Sequence, residues 1–115
     1  MEISQENNQG VEIFKVKGSL DSNTSGECEK RIYAALEKGQ LKMILDLEDL
    51  EYISSAGIRV ILKATKDLKR KNGKIVLCSL QDYVGEVFEI AGFDRYISIA
   101  SNLEEAMMNI FLKKR

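Results

Sequence analysis

Two short, almost purely apolar runs separated by an amphipathic helical pattern constrain this chain most strongly. Residues 42–47 read KMILDL and residues 74–78 read KIVLC, and such runs are typical of strands that are buried on both faces. Between them, residues 56–71 repeat apolar side chains at helical spacing, and Asn72-Gly73 closes the pattern. A strand, a helix and a strand in this order predict a parallel pair joined by a helical crossover.

Strands are also predicted on either side of this unit. Residues 11–17 form a predicted strand that ends at Gly18 and pairs with a short strand near residues 2–6 across an Asn-Asn-Gln-Gly turn. Residues 95–99 read as another short strand, whereas the charged segment 48–51 is predicted to be a loop.

Three further helices complete the pattern. They are predicted from Thr24 to about Lys38, over residues 82–91, and from Ser101 to Lys113-Lys114-Arg115. Thr24 with Glu27, and Ser101 with Glu104, have the spacing of a capping box, in which two side chains satisfy free backbone groups at a helix start.

The resulting order, ββαβαβαβα, predicts one α/β domain over residues 1–115. We expect a mixed, mostly parallel sheet of about five strands covered by about four helices. In open sheets of this class, binding residues gather where the strands end. Two polar segments, 21–24 and 51–57, are predicted to lie there.

Composition excludes several functions. The 115 residues include 17 basic and 18 acidic side chains, and this balance shows no electrostatic footprint for nucleic acid. The polar amino-terminal segment and the short apolar runs predict neither a leader nor a membrane anchor, so we expect a cytoplasmic location. Cys28 and Cys78 are far apart and fall in a predicted helix and strand, which indicates packed thiols.

Nothing in the sequence indicates catalysis. The chain has no histidine, which removes the commonest general base and most zinc sites. It also lacks a GxGxxG or GxxxxGK[ST] phosphate loop. We therefore predict no catalytic residue, no metal site and no cofactor. A small enzyme or nucleotide-binding protein remains the alternative from outside the binding-module class.

The segment YISSAGIRVIL, residues 52–62, places two hydroxyl groups where a strand gives way to a helix. Backbone N–H groups at a helix start have no partner within the helix, and they attract anions. Ser54 and Ser55 could therefore cap the helix, bind a phosphate or receive one. Gly57 stands within the first turn, where glycine costs about 1 kcal/mol relative to alanine and suits a close approach.

Five segments together resemble the bacterial anti-sigma factor antagonists, the stand-alone form of the STAS domain. The resemblance covers nearly the whole chain and is carried, in order, by residues 18–21 (GSLD), 44–47 (ILDL), 52–58 (YISSAGI), 73–77 (GKIVL) and 88–93 (FEIAGF). It implies a small α/β domain without catalytic activity.

The resemblance also implies a function. Unphosphorylated members bind an anti-sigma factor, commonly also a serine kinase, and release the sigma factor. Phosphorylation of a serine before the second helix ends the binding, and a PP2C-type, metal-dependent phosphatase reverses it. The common motif is Asp-Ser-Ser/Thr-Gly with the first serine modified, and alignment on Gly57 puts that serine at Ser55, with Ser54 at the aspartate position as the second choice.

We also predict a partner surface around this serine and a monomer or weak homodimer. The predicted contact residues are Asp21, Ser22, Asn23, Ser54, Ser55, Ala56, Gly57 and Arg59. The alternative within the same fold is a regulatory or scaffold domain in another signalling assembly, such as a stressosome-like complex or the partner of a membrane protein.

Overall fold

The computed structural model describes residues 1–112, which form one mixed sheet covered by helices on both faces. The strands are β1 (Glu2–Asn8), β2 (Val11–Leu20), β3 (Lys42–Asp46), β4 (Leu50–Ile53), β5 (Lys74–Cys78) and β6 (Ser98–Ala100). The helices are α1 (Ser25–Glu37), α2 (Ser55–Arg70), α3 (Asp82–Ile90) and α4 (Leu103–Ile110), with a short 3-10 helix at Phe93–Arg95.

The sheet has the order β1-β2-β3-β5-β6, with β4 beside the end of β2. β1 is antiparallel to β2, and all other pairs are parallel. The predicted class, a single α/β domain with a mixed sheet, is therefore confirmed. The described residues contain six strands rather than about five.

Alternating side chains of the strands build two apolar layers. Phe14, Leu45 and Leu77 belong to the larger cluster, which α1, α2 and α3 cover. Ile44 and Val76 point to the other face, where Ala106 and Ile110 of α4 cover them. Both faces of the central strands are thus buried, as their continuous apolar sequence predicted. Burying each large side chain contributes about 1.5–3 kcal/mol.

The segment predicted to be a loop at residues 48–51 is in part a strand. Leu50 and Ile53 are buried, and β4 pairs with the last residues of β2. β2 itself does not end at Gly18. It continues to Leu20 through a register shift, and Gly18 has a φ of +94°, which glycine adopts without strain.

The structure also corrects two helix starts. Thr24 precedes α1, but its side chain makes no capping hydrogen bond. At α4 the capping residue is Asn102, whose side chain accepts from the N–H of Glu105 at 2.8 Å, one position later than predicted for Ser101 and Glu104. The last helix was predicted to reach Lys113-Lys114-Arg115, which lie outside the described residues, but α4 ends earlier, at Ile110, with Phe111 as its C-terminal cap.

The prediction for residues 95–99 was wrong in part. Residues 93–95 form the 3-10 helix, and the strand β6 begins only at Ser98. The other predicted helices and strands agree with the structure within about two residues, which is the usual spread at element ends. Within residues 1–112, no helix combines the length and apolarity needed to cross a bilayer.

The two described ends of the chain lie at opposite ends of the strands. β1 begins opposite the end of β2, and the Cα of Met1 lies 3.5 Å from the position that a Cβ on Gly18 would occupy. α4 ends near the first residues of the central strands, because Lys74 Nζ donates to the carbonyl of Asn109 at 2.8 Å. Lys42 Nζ lies over the ring of Phe111 at the same end of the strands, 5.3 Å from the centroid of the ring.

Candidate functional site

The parallel ends of β2 and β4 bring the two predicted polar segments together. Leu20 is paired with Ile53, and the N–H of Ser54 donates to the carbonyl of Leu20 at 2.9 Å. Asp21 and Ser54 therefore begin neighbouring loops at the carboxyl ends of these two strands. The expectation that both segments lie where the strands end is confirmed.

Ser54 and Ser55 are adjacent in sequence but differ in environment. Ser54 is the capping residue of α2, with extended backbone angles, yet its side chain makes no capping hydrogen bond. Its Oγ is buried and finds no hydrogen-bond partner among residues 1–112. Ser55 is the first residue of α2, and it is exposed.

Gly57 explains how α2 can start so close to β2. A Cβ on Gly57 would lie 2.7 Å from the carbonyl oxygen of Leu20 and 2.9 Å from side-chain carbons of Leu20 and Ile53. No ordinary side chain fits there. The residue was predicted to contact a partner, but it is buried, so the structure shows it setting the position of α2 rather than presenting a surface.

The loop from Asp21 to Thr24 is held by its own polar groups. Thr24 Oγ1 accepts from the N–H of Asp21 and donates to the carbonyl of Ser19, both at 2.9 Å. Asp21 Oδ1 accepts from the N–H of Asn23, also at 2.9 Å. Ser22 and Asn23 remain exposed beside the start of α2. The loop therefore offers a fixed polar surface.

The first turn of α2 is suited to an anion. It contains no acidic side chain, and the side chain of its capping residue Ser54 leaves its backbone N–H groups without a capping hydrogen bond. The helix dipole adds partial positive charge at this point. Arg59 is exposed one turn after Ser55, a separation at which two side chains of a helix can meet. Ala56, also predicted to contact a partner, is half-buried.

An exposed aromatic pair lies beside this junction. The rings of Tyr52 on β4 and Tyr83 on α3 are stacked, with centroids 6.4 Å apart and an angle of 17° between their planes. The sequence did not indicate this pair, because it depends on the packing of α3 against a strand that was predicted to be a loop. The nearness of Tyr52 to Ser54 in the sequence was the one available signal.

The thiols and the acidic side chains show no reactive site. Both cysteines are free and buried, and burial raises the pKa of Cys28 and of Cys78 to about 11, so both stay protonated. Within the described residues, no group of three or more Asp, Glu or Cys side chains could hold a metal ion. The prediction of packed thiols is confirmed.

Comparison with known families then assigns the fold. The family model described as the STAS domain matches residues 2–106. This chain belongs to the STAS domain family. The match covers most of the chain, including both loops of the site and the start of α2.

Relatives and solved structures of this STAS domain agree over nearly its whole length. The Bordetella bronchiseptica protein BtrV, named as a candidate anti-sigma factor antagonist, is 38% identical over 106 residues, which cover 92% of this chain and 91% of BtrV. A crystal structure from Thermotoga maritima, of a protein also described as a candidate antagonist, has a TM-score of 0.90 and 26% identity, and covers 94% of this chain and 93% of that one.

A third comparison concerns the Bacillus cell fate determinant SpoIIAA in its phosphorylated form. This structure has a TM-score of 0.74 and 21% identity, and covers 95% of this chain and 99% of that one. The likeness to SpoIIAA shows the STAS fold. The relatives are anti-sigma factor antagonists, which are regulatory proteins and not enzymes.

Proposed function

We propose that this protein is an anti-sigma factor antagonist that is switched by phosphorylation of Ser55. Its unphosphorylated form binds an anti-sigma factor with serine kinase activity in the cytoplasm, and the sigma factor is released. The names of the relatives support the antagonist function. The exposure of Ser55 at the first position of α2, beside the Asp21 loop, carries the assignment of the site.

The environments of the two serines favour Ser55 over Ser54. A kinase must bring the γ-phosphate of ATP in line with the accepting hydroxyl, and the exposed side chain of Ser55 permits that approach. The Oγ of Ser54 is buried, so the chain would have to move before it could react. Ala56 offers no competing hydroxyl on the other side.

Phosphorylation is expected to change the surface and not the fold. The modification adds a charge of about −1.5 to −2, and the uncapped first turn of α2 can accept it. At a packed interface the same group adds bulk and must lose its water. A cost of roughly 2–5 kcal/mol weakens binding about 30- to 5000-fold.

The proposal includes a phosphatase that restores the binding form. A PP2C-type serine phosphatase would remove the phosphate from the exposed Ser55 and return the protein to its partner. The protein itself needs only to bind and release, as a monomer or weak homodimer. This division of roles fits a site with exposed polar groups and without an assembled catalytic group.

Locating the phosphate tests the proposal. The anti-sigma factor is first captured from the native host with the wild-type protein, identified by mass spectrometry and purified. After incubation with that partner and ATP, we expect one phosphate on Ser55. The Ser54→Ala protein should be modified equally, whereas the Ser55→Ala protein should not. Phosphate at any residue other than Ser55 would show the assignment to be wrong.

Binding measurements complete this test. Ser55→Ala should bind the partner with or without ATP, whereas the phosphorylated protein and Ser55→Glu should bind at least about 30-fold more weakly. Failure of the wild-type protein to bind any anti-sigma factor would contradict the proposed function itself.

A further inference from the structure

The stacked pair Tyr52–Tyr83 is held in place although both rings are open to solvent. The side chains are 42% and 53% exposed, respectively. Tyr52 points outward because its β4 neighbour Ile53 is buried. Tyr83 is fixed by α3, in which Val84 and Phe88 are fully buried. Large aromatic rings of this kind dominate the energetics of many interfaces.

The surroundings of the pair are also ordered. Gln81 Nε2, just before α3, donates to the carbonyl of Glu48 at 3.0 Å and ties the helix start to the loop before β4. Each ring further restricts the other by stacking. A partner that contacts the pair would therefore lose little conformational entropy, since the rings are already positioned.

The two segments that carry the pair have charges of one sign. Residues 43–58 and 75–94 contain no lysine or arginine, although the whole chain has 17 basic side chains against 18 acidic ones. The exposed acids of these segments that lie nearest the pair along the chain are Glu48, Asp49, Glu51, Asp82 and Glu86. A surface with this charge favours a basic partner and increases the rate of encounter.

We infer that Tyr52 and Tyr83 are the aromatic anchor of the interface with the anti-sigma factor, and that the matching surface of this partner is an apolar slot flanked by lysine or arginine. The inference rests on the proposed function. The pair adjoins the site because Tyr52 precedes Ser54 by two residues on β4. A basic partner would also attract the Ser55 phosphate, so release upon phosphorylation would come from bulk and lost hydration rather than from charge repulsion.

Substitutions of the two tyrosines test whether they anchor the interface. With the purified anti-sigma factor identified above, we expect Tyr83→Ala and Tyr52→Ala to bind at least about 20-fold more weakly than the wild type, as is usual for a central aromatic residue. Tyr83→Phe keeps the ring and should bind within about threefold of the wild type. Circular dichroism and thermal unfolding verify that each variant is folded.

Tyr96 is the matched control for these variants. It is 42% exposed, as Tyr52 is, but its ring lies 3.8 Å from Lys69 Nζ near the end of α2. Lys69 lies fourteen positions after Ser55 in α2, which corresponds to about 21 Å along the helix axis. Because Tyr96 is far from Ser55 and is not part of the stacked pair, Tyr96→Ala should leave the affinity unchanged.

A charge reversal tests the nature of the partner. Glu86→Lys lies one turn after Tyr83 and should lower the association rate about 3- to 10-fold at low ionic strength, with a smaller effect at high salt. Glu37→Lys, exposed at the far end of α1, is the control and should have little effect.

The outcomes separate this inference from the proposed function. If the wild type binds and is released by Ser55 phosphorylation, but folded Tyr83→Ala and Tyr52→Ala bind within about threefold of it, the anchor is wrong and the proposed function stands. A faster association of Glu86→Lys would show the partner surface to be acidic and would overturn the second half of the inference. If the wild type binds no anti-sigma factor, both proposals are wrong.

Discussion

At the scale of single residues, one peptide step separates a buried hydroxyl from an exposed one. The chain turns from β4 into α2 at Ser54, whose N–H is fixed by the carbonyl of Leu20. This contact directs Ser54 inward and leaves Ser55 as the first exposed residue of the helix. The tightness of the turn, allowed by Gly57, therefore determines which of the two hydroxyl groups is exposed.

The environment of Ser54 predicts an unusually small effect of its removal. Loss of a serine or asparagine helix cap typically costs about 1 kcal/mol. The Ser54 side chain makes no capping bond, and its Oγ is buried without a hydrogen-bond partner in the described part of the chain. Ser54→Ala should therefore cost less than about 0.5 kcal/mol in the free energy of unfolding, measured with urea.

Asn102 provides the matched comparison. It occupies the same position at α4, and its side chain accepts from the N–H of Glu105 at 2.8 Å. Asn102→Ala should therefore cost about 1 kcal/mol. A loss at Ser54 as large as the loss at Asn102 would mean that the Ser54 hydroxyl does cap α2 in solution.

At the scale of elements, the contact between α2 and the end of β2 determines the geometry of the site. The β2–β4 pairing holds the Asp21 loop beside Ser54, and the absence of a side chain on Gly57 lets α2 approach Leu20. A change in this contact moves both loops at once. It should affect stability and partner binding together.

Substitution of two glycines near helix starts distinguishes the effect of packing on stability from the effect of helix propensity. In Gly57→Ala the added methyl group would meet the carbonyl oxygen of Leu20 at 2.7 Å, so we expect a loss of about 1–3 kcal/mol in unfolding free energy. In Gly26→Ala, on α1, the added methyl group would have no described atom within 4 Å apart from its own chain neighbours and the backbone of its own helix, and a gain of up to about 1 kcal/mol is expected. Chemical denaturation measures both.

Equal effects at the two glycines would contradict the packing argument. If Gly57→Ala is folded but less stable, its partner affinity should also fall, because the start of α2 is displaced. Gly26→Ala should bind normally.

The elements that could be predicted are those with a strong apolar pattern. The central strands and α2 follow from their sequences because burial on both faces, or on one helical face, leaves a clear periodicity. β4 has only Leu50 and Ile53 buried and is preceded by Glu48 and Asp49, so its charge resembles that of a loop. The side chain of Thr24 matched a capping box but is bonded to the Ser19 carbonyl instead.

At the scale of the whole molecule, phosphorylation should leave the architecture unchanged. The modified protein should keep its radius of gyration, 12.7 Å over the Cα atoms, in small-angle scattering. Amide chemical shifts should change only in residues 21–24 and 53–59, since the phosphate lies at an exposed helix start. The unfolding temperature should be equal or slightly higher, because the dipole of α2 favours the charge.

The Ser55→Ala protein, treated with the same kinase and ATP, is the control. Its amide chemical shifts should not change. Changes spread over the central strands, or a loss of signal dispersion, would mean that phosphorylation acts through the fold rather than through the surface.

The placement of the candidate site was predictable only in part. The serines, Gly57 and the Asp21 loop could be found from the order of strands and helices, because the ends of parallel strands meet at one edge. Tyr83 could not, since its place beside Tyr52 results from tertiary packing of α3 on β4. No local pattern in the sequence encodes that contact.

The position of Met1 beside Gly18 has a practical consequence for assays. β1 begins where the Asp21 loop and Ser55 lie, whereas α4 ends at the opposite end of the strands, near Lys74 and Lys42. A fluorescent protein or affinity peptide joined before Met1 would stand at the same end of the strands as Ser55. The same reporter joined after α4 would leave that end clear, so its placement alone could decide whether a binding assay succeeds.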